Sequence, residues 1–355
     1  MSQRARLRDL GIPVGVLEPG PLNAITDVPG VRVGHITLNH AAGYEASVCT
    51  GVTAILPRSG DVFHRKCTAA SHVINGFGKT AGLVQLDELG QLESPILLTN
   101  TMSVGAALEG GLRYLMLQDE RIGGAAPVPN VVVGECNDGY LNDMRAMSVR
   151  PRHVIAAIDA ASGGPVAEGA VGAGTGMRCC GWKGGIGTAS RRVAGTRYTL
   201  GVLVLSNFGG AADLTILGVP VGRQLRPDQP LPQDGSIIMV VGTDLPWDAL
   251  ALRRLAARTA FGLARTGSVA SHGSGDIAIA FSTAETQRPP YADGGRLATE
   301  AFHAVAEATE EAILNALTQA ETTTGRGGRT VPALPLAETL ALLQGDDGEQ
   351  EDEDA

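Results

Sequence analysis

Short apolar, β-branched runs bounded by Gly, Asn or Asp recur along the chain, the clearest being Val52–Leu56, Pro95–Leu98, Val131–Val133, Thr199–Leu205, Ser236–Val241 and Asp276–Phe281. Each has the length of a strand and is apolar on both faces, which predicts strands buried between layers. Helical stretches lie between them. One is expected over Trp247–Arg265, with Pro246 in its first turn and Gly267 just past its end. A second is expected over Gly295–Ala320, rich in Ala and Glu with apolar residues at Phe302, Val305, Ile313 and Leu317, and a third around Arg152–Ala161.

One segment interrupts the pattern. Arg226-Pro-Asp-Gln-Pro-Leu-Pro-Gln-Asp-Gly235 holds three prolines in ten residues, which forbids helix and any central strand and predicts an exposed, extended loop. Directly after it comes Ser236-Ile-Ile-Met-Val-Val-Gly, a buried strand by composition. Taken alone, this is an ordinary junction of loop and strand. Its point of interest is that the first residue of the strand is a serine.

Composition narrows the class. Of the 355 residues, 44% are hydrophobic and 18% charged, which allows a sizeable core and excludes a wholly disordered chain. With 4% aromatics and 48 glycines, that core is built from Ala, Val, Ile and Leu with many tight turns, as suits closely stacked sheets and helices. Seven of the 37 acidic residues fall between Asp346 and Asp354, leaving 30 against 28 basic ones, so the body is nearly neutral. Residues 344–355 read as a disordered acidic tail behind a single domain over 1–343. There is no basic footprint for nucleic acid and no run of the roughly 18 apolar residues a membrane span needs. The N-terminus lacks the apolar stretch of a secretory signal. Five cysteines (Cys49, Cys67, Cys136, Cys179 and Cys180), two of them adjacent and none in CxxC spacing, fit reduced buried thiols in a cytoplasmic protein.

Several motifs fail on inspection. Ile74-Asn-Gly-Phe-Gly-Lys79-Thr80 ends like a phosphate-binding loop, but the first required glycine would fall at Val73. Gly172-Ala-Gly-Thr-Gly176 and Gly184-Gly-Ile-Gly187 lack dinucleotide spacing and read as tight turns that could still offer N–H groups to a substrate. His272-Gly-Ser-Gly-Asp276 is not a nucleophile elbow, since positions 272 and 276 are not glycine. The seven histidines show no paired-ligand spacing, which disfavours a metal hydrolase; neither metal nor cofactor is implied.

Taken in order, a set of blocks resembles a known family. They are Ile25-Thr-Asp-Val-Pro-Gly-Val-Arg-Val-Gly-His35, Gly134-Glu-Cys-Asn-Asp-Gly-Tyr140-Leu-Asn-Asp143, Gly172-Ala-Gly-Thr-Gly-Met177, Lys183-Gly-Gly-Ile-Gly-Thr-Ala-Ser190, Leu203-Val-Leu-Ser-Asn207-Phe-Gly209, Asp234-Gly-Ser236-Ile-Ile and Gly273-Ser274-Gly-Asp276. The resemblance, from about Ile25 to Ala316, is to the autoprocessing L-aminopeptidase/D-esterase and β-peptidyl aminopeptidase family, the DmpA-type serine aminopeptidases. It implies a precursor that cuts between Gly235 and Ser236 into an α chain 1–235 and a β chain 236–355. It also implies a four-layer αββα sandwich, similar to the N-terminal-nucleophile hydrolases but connected differently. Members of the family assemble as homo-oligomers, often tetramers of processed heterodimers. They release N-terminal L-, D-alanyl or β-amino residues from short peptides, amides or esters.

The chemistry suits these residues. A serine hydroxyl needs a base within hydrogen-bond reach. Cleavage before Ser236 would create one on the same residue, an α-amino group with a reference pKa of about 7.7–8.0. Gly235, having no Cβ, lets the serine oxygen approach its carbonyl. Asn207, at the end of a predicted strand, takes the oxyanion role by resemblance, and removing such a donor costs roughly 2.7–4 kcal/mol; the duller reading makes Asn-Phe-Gly a turn. Tyr140 matches the family's active-site tyrosine, although by itself it reads as a half-buried core residue. Ser274 and Asp276 alternate along the start of a strand. By resemblance they bond around the nucleophile and its amine, with Asp standing where some relatives carry Glu. Glu135 is a candidate to pair with a substrate's ammonium, the alternative being a structural pairing with an arginine. Two other functions share part of this pattern. A self-cleaving glutamate N-acetyltransferase type would break before a Thr, whereas the junction here is Gly-Ser, and the intact set of site residues speaks against a non-catalytic binding protein.

Overall fold

The apolar runs become strands because β-branched residues on both faces find a layer on each side. A computed structural model describes residues 4–40, 47–227, 235–288 and 293–345. The chain opens with β1 (Arg32–His40), β2 (Val48–Leu56), β3 (Cys67–Gly76), α1 (Leu83–Leu89), β4 (Gln91–Leu92) and β5 (Ile96–Asn100). It continues through α2 (Val104–Gln118), β6 (Val132–Cys136), α3 (Pro151–Asp159) and a small hairpin of β7 (Arg178–Cys179) and β8 (Trp182–Lys183). Then come β9 (Gly185–Arg192), β10 (Thr199–Asn207), α4 (Val221–Gln224), β11 (Ser236–Thr243), α5 (Ala249–Ala256), α6 (Thr259–Arg265) and β12 (Gly275–Ser282). The last elements are α7 (Arg296–Gln319), β13 (Thr323–Thr324), β14 (Thr330–Val331) and α8 (Leu336–Gly345).

Two sheets carry the fold. One has the order β1-β2-β5-β6 and the other β4-β3-β12-β11-β10-β9. Only β5–β6 and β11–β12 run parallel within them. Three apolar clusters fill three interlayer spaces. Ile55, Ile96, Leu98 and Val132 of the first sheet meet Leu203, Leu205, Ile238, Val240 and Ile279 of the second. Val52, Ala54, Leu97 and Val133 pack outward on Ala107, Leu115, Val154 and Ile158 of α2 and α3. Val202, Val204, Met239 and Val241 pack outward on Leu252, Leu255, Leu263, Val305 and Ile313 of α5, α6 and α7. Helix, sheet, sheet, helix is therefore the layer order, an αββα sandwich. Alternate residues of β11 serve different cores, which explains why its sequence shows no polar face.

All six predicted strands are present; β5 and β6 begin one residue late, at Ile96 and Val132, and all six run beyond the predicted span at one end or both. The predicted helix over Trp247–Arg265 is instead two. It starts at Ala249, capped by the Asp248 carboxylate accepting from the N–H of Ala251 at 2.8 Å. It breaks after Ala256 so that α5 can lie on β3 and β12 while α6 turns onto α7. There the Gly262 backbone presses so close that a Cβ would stand 2.3 Å from the carbonyl oxygen of Ala306. Helix α8 takes in Gln344 and Gly345, two residues assigned above to the tail. Residues 228–234 of the proline-rich loop and the acidic run from Asp346 lie outside the described residues. No helix among the described residues is long and apolar enough to cross a membrane.

Candidate active site

Ser236 is the first residue of β11, near the middle of the larger sheet, and is 6% exposed. By alternation it shares the inter-sheet face with Ile238 and Val240. Its direct partner across the antiparallel pair is Asn207, the last residue of β10, which shares that face with Leu203 and Leu205. Gly235 precedes the serine where nothing larger fits, since a Cβ there would lie 1.9 Å from the carbonyl oxygen of Asn207. The Ser236 hydroxyl oxygen accepts the backbone N–H of Gly275 at 3.1 Å.

A cleft of about 720 Å³ opens over this serine. Gly235, Ser236, Glu135 and Tyr140 line it, together with Thr101, Asn137, Lys79 and Arg178. Glu135 and Thr101 arrive from the carboxyl ends of the parallel pair β5 and β6. Glu135 is nearly buried, and what holds it are neutral donors rather than an arginine: the backbone N–H of Lys79 at 2.8 Å on one oxygen and the Thr101 hydroxyl on the other. It shares the cleft wall with the cationic side chains of Lys79 and Arg178.

Asn207 is fixed through both ends of its amide. The side-chain oxygen accepts the N–H of Arg178 at 3.0 Å, and Nδ2 donates to the carbonyl of Asn137 at 3.1 Å. One N–H of the amide is left to serve a ligand. The turn reading also holds in part, because the chain bends at Gly209 (φ +79°) while Phe208 is buried. Tyr140 is half-buried against Cys49, Leu141 and Val331, with the guanidinium carbons of Arg178 and Arg329 at 5.7 and 5.2 Å from its ring centre.

Ser274 and Asp276 form a tight unit, hydroxyl to carboxylate at 2.6 Å. They do not stand in the cleft wall. Asp276 alternates with Ala278 and Ala280, which face the helices, and its carboxylate accepts from the N–H of Ile237. The pair therefore abuts the peptide joining Ser236 to Ile237. Burial pushes the Asp276 carboxyl up to about 6, although the Ser274 hydroxyl and the Ile237 N–H favour its charged form. Its second oxygen is buried without a partner.

The residues set aside from the failed motifs take instructive places. Lys79 lines the cleft, its ammonium 4.4 Å from the centre of the Phe77 ring. His272 lies exposed on the rim, 6.3 Å from that same ring, and Ser274 bonds to Asp276 instead. Most N–H groups of the glycine turns are already bonded within the protein. Those of Gly172 and Ala173 bond to Thr37 and Thr53, that of Gly184 to Met177, and that of Ile186 to Gly169. Thr101, Asn137 and Arg178 were not singled out from the sequence. Thr101 directly follows the observed β5 but lies beyond the predicted run Pro95–Leu98, whereas Arg178 works on Asn207 through its backbone and carries no side-chain signature for that role.

A serine heading a buried strand in an αββα sandwich, with a strand-end asparagine opposite it, defines a hydrolase built like the N-terminal-nucleophile enzymes. The sequence model of Peptidase family S58 matches residues 23–331. The chain therefore belongs to peptidase family S58 and is a hydrolase of the aminopeptidase kind. It is 43% identical to the β-peptidyl aminopeptidase BapA of Sphingosinicella microcystinivorans, over 97% of this chain and 93% of that protein. Among solved structures, the PH0078 protein from Pyrococcus horikoshii OT3 superposes with a TM-score of 0.90 at 46% identity, covering 97% of this chain and 99% of that one. The L-aminopeptidase D-Ala-esterase/amidase of Ochrobactrum anthropi gives 0.87 at 35% identity over 96% and 99%, and is described as a prototype for the serine aminopeptidases with a new variant of the Ntn hydrolase fold.

Proposed function

We propose that this protein cuts its own Gly235–Ser236 bond and then uses Ser236 as an N-terminal nucleophile to release N-terminal residues from short peptides, amides or esters bearing a free amino group. The observation that carries this reading is the position of Ser236. It begins a central strand at the floor of a cleft, follows a glycine that admits no side chain, faces Asn207, and lies in the same cleft as Glu135. The new α-amino group takes the hydroxyl proton as Ser236 attacks the substrate carbonyl. Asn207 donates its remaining N–H to the oxyanion, and Tyr140 adds a hydroxyl from the cleft wall. Glu135 binds the substrate's ammonium, which fixes the scissile bond one residue in from the free end. The Ser274–Asp276 pair holds the strand-end peptide that carries the nucleophile. The β-peptidyl aminopeptidase likeness supports β-amino residues among the substrates. A soluble homo-oligomer of processed heterodimers, working without cofactor or metal in the cytoplasm, completes the proposal.

Intact mass under denaturing conditions tests the first half. Two chains of 235 and 120 residues are expected, the shorter beginning Ser-Ile-Ile. A single chain that stays whole on incubation overturns it. For the second half, an N-acetylated substrate should not turn over where the free amine does; equal rates on both would remove Glu135 from its role.

A further inference from the structure

The cleft residues do not account for Lys183, a lysine with no exposed surface. Its ammonium donates to three main-chain carbonyls, those of Gly174 at 2.9 Å, Met177 at 2.7 Å and Gly184 at 2.7 Å. All three hydrogens are thereby used, and none goes to a carboxylate. Burying a cation this way costs stability relative to an apolar residue of similar volume. Burial also pushes this ammonium down to about 7, while Cys49, Asp138 and Cys179 nearby favour its charge. A costly group with a purely polar shell suggests a task, and the geometry supplies one.

Met177 C=O and Arg178 N–H are the two ends of a single planar peptide. Lys183 bonds to the oxygen of that peptide, and its N–H bonds to the side-chain oxygen of Asn207. A cation on the carbonyl draws electron density from the amide and makes its N–H a stronger donor. The same oxygen also accepts the N–H of Gly184 at 3.2 Å, so the peptide plane is held from two directions. The turn behind it is equally fixed. At Gly176 a Cβ would stand 2.3 Å from the carbonyl oxygen of Cys49, so the turn is wedged against β2. A rigid, polarised peptide therefore decides which way the Asn207 amide faces.

We infer that Lys183 is a positioning residue of this active site, acting on the oxyanion donor Asn207 through the Met177–Arg178 peptide. The inference rests on the proposed role of Asn207. Without the ammonium the peptide loosens, the Asn207 amide samples other rotations, and stabilisation is lost in the transition state more than in substrate binding.

A double-mutant cycle on the full-length protein tests this, read as kcat and KM on an amino-acid p-nitroanilide and as the rate at which the 120-residue chain appears. Asn207→Ala should lower kcat roughly 100- to 1,000-fold. Lys183→Met should lower it roughly 10- to 100-fold with KM changed less than about threefold. In the Asn207→Ala background the same lysine change should alter kcat by less than about threefold, since its route of action is gone. Lys183→Gln, which keeps N–H donors, should recover part of the loss. Equal fold-losses in both backgrounds, or a loss confined to KM, overturn the inference and leave Asn207 in place. If Asn207→Ala barely changes kcat, the oxyanion assignment itself fails. Should Lys183→Met not fold, the cycle is run with Lys183→Gln, and the processing rate serves if turnover is too slow to follow.

Discussion

The two sheets reach the cleft side by side but differently equipped. From the six-stranded sheet comes Ser236 at the cleft floor, with Asn207 beside it in the ladder and the hydrogen-bonded Ser274–Asp276 pair behind it on the helix-facing side. From the four-stranded sheet and the loop beyond it come Glu135, Thr101, Asn137 and Tyr140, at strand ends and in a turn. The first group sits where the position of reacting atoms is set by a buried, continuous sheet. The second sits where side chains can vary without disturbing that sheet. On the proposed reading, the six-stranded sheet carries the nucleophile and its amide donor while Glu135 reads the substrate's amino end, with the Tyr140 hydroxyl crossing between the two, and altering one group should leave a different kinetic signature from altering the other.

The sharpest way to break that division is Ser236→Ala. Nucleophile and base disappear together, so neither the shorter chain nor any turnover should be detectable by mass spectrometry and a p-nitroanilide assay; a cleaved, active variant would sink the assignment. Glu135→Gln comes next, on the other sheet. Losing a charged partner for the ammonium should lower kcat/KM roughly 10- to 100-fold, mostly through KM. A fall in kcat alone would erase the separation of roles. Asp276→Asn should show the smallest effect at neutral pH, a few-fold in kcat. Its value lies in the pH profile. The carboxyl is raised to about 6, so it is charged above that pH and protonates as the pH falls through it. With the serine amine already protonating at higher pH, log kcat should fall with slope one and drop by a further few-fold step as the pH passes through about 6. The Asn variant should lack that extra step, and an unchanged step would assign that proton elsewhere.

The layers were legible because residues such as Ile237 to Val241 must be apolar toward two cores at once. Helix α2 was not, because Gly105, Gly110 and Gly111 hide it; at Gly110 and Gly111 the helix lies so close that Cβ atoms would meet Val154 and Val131 at 2.5 and 2.6 Å. Strand β1 alternates at a sheet edge and β9 carries Gly185 and Gly187, so neither shows a continuous apolar run. In the site, Ser236 stood out because a proline-rich segment runs straight into a buried strand. The three prolines that gave this signal include two outside the described residues, Pro230 and Pro232, so the path of that loop stays a sequence-based expectation. The roles of Lys79 and Arg178 were not legible, since both reach their partners through main-chain N–H groups that any residue type supplies.

The strand order has a mechanical meaning. In β4-β3-β12-β11-β10-β9, the central two strands come from after residue 235 and the two on either side from before it. A cut at Gly235–Ser236 would therefore sever the backbone without releasing anything. The shorter piece is clasped between two arms of the longer one, and its long helix α7 is packed against β9 and β10. The fragments would interlock like two hands, and the freshly made amine would appear where it is to be used, with no rearrangement of the sheet to bring it there.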